Sequence, residues 1–88
     1  MYDYETVIKE LLGSEEGVAL ILQVWENARK LLDGAPNFRR EQVSAFGDSW
    51  QTTAAVDYLC KIGRLTELRL VDVPDQRRLF ERGPNFLR

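Results

Sequence analysis

Few side chains in this sequence could act as nucleophiles or acid–base groups, and their neighbours do not suit catalysis. The chain has one cysteine, Cys60, and no histidine that could activate it. The spacing places Cys60 beside an inward-facing apolar stripe, where a cysteine packs like a small hydrophobic residue. Asp72 and Asp75 flank a turn, where acids are common for backbone reasons. The sequence therefore predicts that the protein is not an enzyme.

The composition also predicts neither a metal site nor a cofactor. Without histidine and with one cysteine, the chain cannot form a Cys/His zinc site or an internal disulfide. Gly13 to Gly17 lacks the following Lys-Ser/Thr pair of a phosphate loop. The longest unbroken apolar run, Val18 to Leu22, is far shorter than the ~20 residues of a membrane span. We expect a cytoplasmic protein with no membrane partner and no small-molecule substrate.

The charged residues are unevenly distributed along the chain. The net charge is −2, but residues 1–36 hold seven acids and three bases, whereas residues 37–88 hold seven acids and nine bases. Eight of those nine bases are arginines, whose planar donors match phosphate oxygens two at a time. Such asymmetry is typical of proteins with a charged partner, although ordinary surface variation also produces it.

Length and periodicity predict one domain, residues 1–88, that is mainly α-helical with a small β-hairpin. Helical patterns cover about residues 3–12, 15–32, 39–46 and 50–62. Gly13 ends the first helix, Ser14 caps the second, Ser49 caps the fourth and Gly63 ends it. From Leu65 the period changes to strand-like alternation, and Val73 to Gln76 has turn chemistry. We therefore expect an antiparallel hairpin across about residues 66–82.

This order resembles the winged helix-turn-helix superfamily over residues 38–82. Phe38 is placed like the family's short first strand, Arg39 to Phe46 like its support helix, and Trp50 to Ile62 like its recognition helix. Gly47-Asp48-Ser49 resembles the turn between these helices. The stretch from Tyr58 to Leu65 is similar to the family's passage into the hairpin, which is called the wing.

The resemblance implies a small DNA-binding transcriptional regulator of bacterial or phage type, with duplex DNA as its partner. In that family the recognition helix enters the major groove and the wing contacts phosphates or the minor groove. Thr53, Ala54, Asp57 and Lys61 would then point outward with Trp50 and Gln51, and Gln51 would read an adenine edge. The full set of expected nucleic-acid contacts is Arg39, Arg40, Gln51, Thr53, Lys61, Arg69, Arg77 and Arg78.

The alternative is a protein–protein interaction module on the same fold, an adaptor, inhibitor or complex subunit without nucleic-acid binding. The expected recognition helix contains no arginine, and Asp57 adds a negative charge to its surface. Trp50 stands where the groove would be met first, and an exposed tryptophan is typical of protein interfaces. Trp50 could equally fold back into the core.

The second helix has apolar residues on so many sides that we expect a homodimer. The expected dimer interface comprises Tyr2, Tyr4, Leu20, Val24 and Leu31. The expected core comprises Ile21, Leu22, Trp25, Val43, Phe46, Val56, Leu59 and Leu68.

Overall fold

The computed structural model describes residues 4–46, 48–68 and 79–86 of the chain. Its elements, in chain order, are α1 (Tyr4–Leu12), α2 (Glu15–Gly34), β1 (Phe38–Arg39), a 3-10 helix (Arg40–Val43), α3 (Ser49–Lys61), β2 (Leu65–Leu68) and β3 (Leu79–Arg82). The structure is mainly helical with a small antiparallel sheet, and this arrangement is compatible with a winged helix. No helix within the described residues is long and apolar enough to cross a membrane.

Polar caps define the helix ends. The side chain of Ser14 accepts a hydrogen bond from the Gly17 backbone N–H at 3.0 Å, as the sequence predicts for the start of α2. The N-cap of α3 is Asp48, one residue before the predicted Ser49, because its carboxylate accepts the Gln51 backbone N–H at 2.8 Å. Gly63, with a φ of 83°, follows α3 and adopts the left-handed conformation that glycine favours.

The sheet has β3 at its centre and the other two strands at its edges. β3 pairs antiparallel with β1, where Phe38 is opposite Phe80, and with β2, where Leu65 is opposite Arg82. The rings of Phe38 and Phe80 are stacked with their centroids 5.6 Å apart, and both are buried. The predicted first strand at Phe38 and the predicted pairing of the strands around residues 66–82 are therefore present.

The predicted support helix at residues 39–46 is present only in part. Arg39 belongs to β1, and only the four residues Arg40–Val43 form a short 3-10 helix. Backbone pairing of Arg39 with Leu79 draws this end into the sheet, and the Gln42 side chain accepts the Arg39 backbone N–H at 2.7 Å. The Gln42 contact caps the 3-10 helix, whereas pairing with β3 keeps Arg39 in the sheet. A segment this short has little helical stability of its own, so it forms only one short helical turn.

The core lies between the three α-helices and the inner face of the sheet. Its buried apolar residues are Ile8, Leu11, Leu20, Ile21, Val24, Ala28, Leu32, Phe38, Val43, Ala54, Ala55, Val56, Leu59, Leu65 and Phe80. Ile21, Val43, Val56 and Leu59 were predicted to be buried and are. Trp25 and Leu68 are only partly buried, whereas Leu22 and Phe46 are 58% and 52% exposed, so those two predictions are wrong.

The orientation of α2 also removes two residues from the predicted dimer interface. Leu20 and Val24 are buried within the protein's own core, and Leu31 is partly buried. α2 turns the face that contains Leu20 and Val24 towards the core, which leaves Val18 and Leu22 exposed instead. Tyr4 is the first residue of α1, and Tyr2 lies outside the described residues.

Gly17 lies where the backbones of α1 and α2 approach each other closely. A Cβ atom at this position would overlap the backbone carbonyl and Cα of Leu11. We expect Gly17→Ala to lower the free energy of unfolding by about 1 to 3 kcal/mol, because the two helices must move apart. Urea denaturation would measure this loss. Gly34→Ala is the matched control, since no atom lies near its Cβ position; equal stabilities of the two variants would contradict the prediction.

Candidate interaction surfaces

The predicted recognition helix is buried through its centre. Five consecutive residues, 52–56, are each between 0% and 4% exposed. Successive residues on an α-helix are ~100° apart, so five residues cover more than a full turn. α1, α2, the 3-10 helix and β2 all pack against α3. The predicted outward orientation of Thr53 and Ala54 is therefore wrong, because neighbouring elements cover every side of the helix at this level.

Three of the side chains predicted to contact DNA form hydrogen bonds within the fold instead. The Thr53 hydroxyl donates to the Ser49 carbonyl at 2.8 Å and accepts a hydrogen bond from the Arg40 guanidinium. Gln51 is half-buried, and its side-chain oxygen accepts the Asp48 backbone N–H at 3.0 Å. Arg40, Gln51 and Thr53 therefore stabilise the start of α3 and its contact with the 3-10 helix.

The remaining predicted nucleic-acid contacts fall into two groups. Arg39 and Lys61 are exposed, and the Arg39 guanidinium lies 3.6 Å from the Glu41 carboxylate. Arg69, Arg77 and Arg78 lie outside the described residues. Within the described residues, Arg39 and Lys61 are thus the members of the predicted set that present charge to solvent.

Two aromatic side chains lie at the N-terminal end of α3. Trp50, in the first turn of the helix, is 56% exposed, and Phe46 just before the helix is also exposed. This exposure answers the open question about Trp50, which does not fold back into the core. Asp57, the second residue predicted to contact a protein partner, is half-buried farther along α3.

These aromatics border a groove of about 580 Å³ between α1, the start of α2 and the start of α3. An adjoining depression of about 460 Å³ is lined by Leu12, Val18 and Leu22, all exposed. The two hollows share Ser14 and Ala19 in their walls, so they form one continuous face. We call Leu12, Val18, Leu22, Phe46 and Trp50 together the apolar surface.

No protein-family model, curated protein or solved structure matches this chain. The apolar surface must therefore be interpreted from its own residues. Sequence reasoning missed Phe46, Leu12, Val18 and Leu22 as interaction residues. The excess of apolar residues around α2 could have identified Val18 and Leu22. It indicated that α2 takes part in an interface, but it did not indicate which face of the helix does so.

The rim of the apolar surface carries negative charge. Glu10, Glu16 and Asp48 line the groove, and Glu15 lines the adjoining depression. All four are exposed. Among the described residues that line these hollows there is no lysine or arginine. The face therefore combines large apolar side chains with carboxylates, which suits an apolar ligand that carries positive charge.

The opposite end of α2 is occupied by contacts between the chain's own aromatic and basic side chains. Arg64 lies over the Trp25 ring at 5.4 Å, Trp25 meets Phe86 edge-on at 5.1 Å, and Arg82 lies over Phe86 at 5.1 Å. The Arg82 guanidinium also donates to the Leu32 carbonyl at 2.7 Å. These arginines hold the turn after β3 against α2, which is a structural role.

Proposed function

We propose that this domain is a protein–protein interaction module and that the apolar surface is its binding face. The observation that carries the proposal is the exposure of Trp50, Phe46 and Leu22 on one continuous face while the centre of α3 is buried. Contiguous apolar patches on small soluble domains mark interaction sites, and tryptophan is enriched among the residues that dominate interface energies.

The burial of α3 is the main argument against base recognition. A helix that reads the major groove must present several side chains to base edges. Here Gln51, which the resemblance assigns to an adenine edge, forms a hydrogen bond within the fold, and Thr53 is buried and hydrogen-bonded as well. α1 packs against the same helix. Base recognition by α3 would therefore have to rely on the exposed residues at its two ends, Ser49, Trp50 and Lys61.

DNA binding through phosphates alone is the second candidate function. The arginine-rich second part of the chain favours it, since eight arginines lie within residues 37–88. Arg39 and Lys61 are exposed, and Arg69, Arg77 and Arg78 would add to their charge. Binding of this kind would be independent of sequence and strongly dependent on salt.

A titration with duplex DNA separates these two functions. We expect the domain to show no saturable binding to a labelled 30-base-pair duplex at ~0.15 M salt below micromolar concentrations, by fluorescence anisotropy. A tighter complex would favour the regulator if its affinity falls steeply with salt. Replacing Arg77 and Arg78 together with alanine would then flatten the salt slope by about two units, roughly one for each lost phosphate contact.

The complementary experiment tests the apolar surface directly. A partner is isolated with the wild-type domain as bait, purified, and titrated by calorimetry against Leu22→Gln and Ile62→Gln. Ile62 is an exposed apolar residue at the far end of α3, so it controls for the loss of any surface hydrophobic group. We expect only Leu22→Gln to weaken the complex. A partner that binds both variants as tightly as wild type would contradict the proposed function.

A further inference from the structure

We propose that the groove between α1, α2 and α3 binds a basic amphipathic helix of a partner protein. This inference rests on the proposed function and adds the chemical class of the partner. The groove walls are the C-terminal half of α1 and the first turns of α2 and α3. Its apolar lining and its carboxylate rim identify the two properties that the partner must have.

The shape of the surface fits a helix better than an extended strand. A strand would bind by pairing with a free strand edge, but the groove is walled by helices and lined by side chains. From Ser14 to Leu22 along α2 the two hollows extend for ~12 Å, at 1.5 Å per residue. Side chains at positions i and i+7 of a bound helix are ~10 Å apart, so its apolar stripe matches this length.

The negative charge of the rim determines the sign of the charge that the partner must carry. Glu15 and Glu16 lie in the first turn of α2, and Asp48 caps α3, where acids also stabilise helices. Glu10 has no such explanation, because it lies in the last turn of α1, where the helix dipole disfavours an acid. Within the described residues Glu10 and Glu16 form no ion pair. Lysine or arginine on a bound helix would compensate these carboxylates.

Within residues 4–46, 48–68 and 79–86, a second copy of this chain does not supply such a helix. α1 carries two acids and one base, α2 carries four acids and two bases, and α3 carries one of each. None of the three helices is net positive, so each would add charge of the same sign or none to the acidic rim. The charge complementarity therefore favours a different protein as the occupant.

The test uses a display library of 16-residue peptides built on a helical alanine frame with the other positions randomised. The folded wild-type domain is the bait, and Trp50→Ala is the bait for counter-selection. We expect the enriched peptides to carry large apolar residues at i, i+4 and i+7 and a net positive charge. Enrichment of neutral or acidic helices, or no enrichment, would overturn the inference.

Calorimetry on one enriched synthetic peptide then tests the carboxylates. Replacing Glu10 and Glu16 together with glutamine should weaken binding about 2- to 30-fold, because each of two exposed ion pairs contributes modestly to the affinity. The double variant should also show a weaker salt dependence than wild type, of which the part due to Glu15 and Asp48 remains. The control pairs Glu5→Gln with Asp33→Asn, two exposed acids outside the groove, and should change the affinity less than 2-fold. Equal effects of both double variants would overturn the placement of the ligand.

The outcomes distinguish this inference from the proposed function. If acidic or neutral helices bind in competition with a natural partner, the proposed function stands and only the proposed charge of the partner helix is wrong. Salt-sensitive binding of duplex DNA would instead remove the proposed function itself. A concentration-dependent dimer, with groove resonances shifted in NMR spectra, would show that a second copy covers the surface and would overturn the inference.

Discussion

Replacing Phe80 with alanine is expected to remove a large part of the domain's free energy of unfolding. Phe80 is 0% exposed, lies in the central strand, and stacks on Phe38 of the neighbouring strand. Truncation of a buried phenylalanine costs about 3 to 5 kcal/mol, from lost burial plus the cavity that remains. Small domains have only about 5 to 15 kcal/mol of stability in total, so this single change removes much of it.

Urea denaturation and thermal melting would measure the effect. A loss of 3 kcal/mol corresponds to a fall of more than about 12 °C in the melting temperature of a domain of this size. Phe46→Ala is the matched control, because the same truncation is made at an exposed position and should stay within about 0.5 kcal/mol of wild type. If the two variants have the same melting temperature, the sheet does not close the core as described.

The sequence predicted the elements that local signals control. Ser14 and Gly13 mark the junction of α1 and α2, and Gly63 marks the end of α3, because capping and left-handed glycine act within one turn of the chain. The change to strand period after Gly63 located β2 and β3 for the same reason. The helix predicted at residues 39–46 is shorter than expected, because its first residue pairs with β3, which is distant in sequence.

The orientation of α2 could not be predicted, and this changed the interpretation of the whole surface. Apolar residues cover more than half of the helix circumference, so periodicity allowed several inward faces. The structure buries Leu20 and Val24, which were predicted at the dimer interface, and exposes Leu22, which was predicted in the core. Which face of α2 turns inward depends on how α1 and α3 pack against it. The apolar periodicity of a single helix contains no information on such contacts.

The candidate site was predictable only in part for a related reason. Trp50 was singled out because an exposed tryptophan is typical of protein interfaces; the structure shows it exposed, and its role in binding stays a prediction. The burial of Thr53 and Ala54 was not, because it results from the packing of α1 and other elements against α3. A resemblance confined to residues 38–82 contains no information on where the first helix packs.

Replacing Trp50 with alanine is expected to weaken binding of a protein partner about 30- to 1,000-fold. A tryptophan at the centre of an interface contributes about 2 to 4 kcal/mol by truncation, because it buries a large rigid surface at low entropic cost. Trp50 lines the groove together with Phe46, and both side chains are exposed. Most of the loss should appear as faster dissociation, since the substitution changes no charge that could steer the encounter.

Surface plasmon resonance with the purified partner would measure both rate constants. Ile62→Ala removes an exposed apolar side chain outside the groove and should change the affinity little. Circular dichroism would confirm that Trp50→Ala keeps its helices, which alanine favours in the first turn of α3. A partner that dissociates equally slowly from wild type and Trp50→Ala must bind elsewhere on the domain. The exposed Arg39 and Lys61 would then become the residues to replace next.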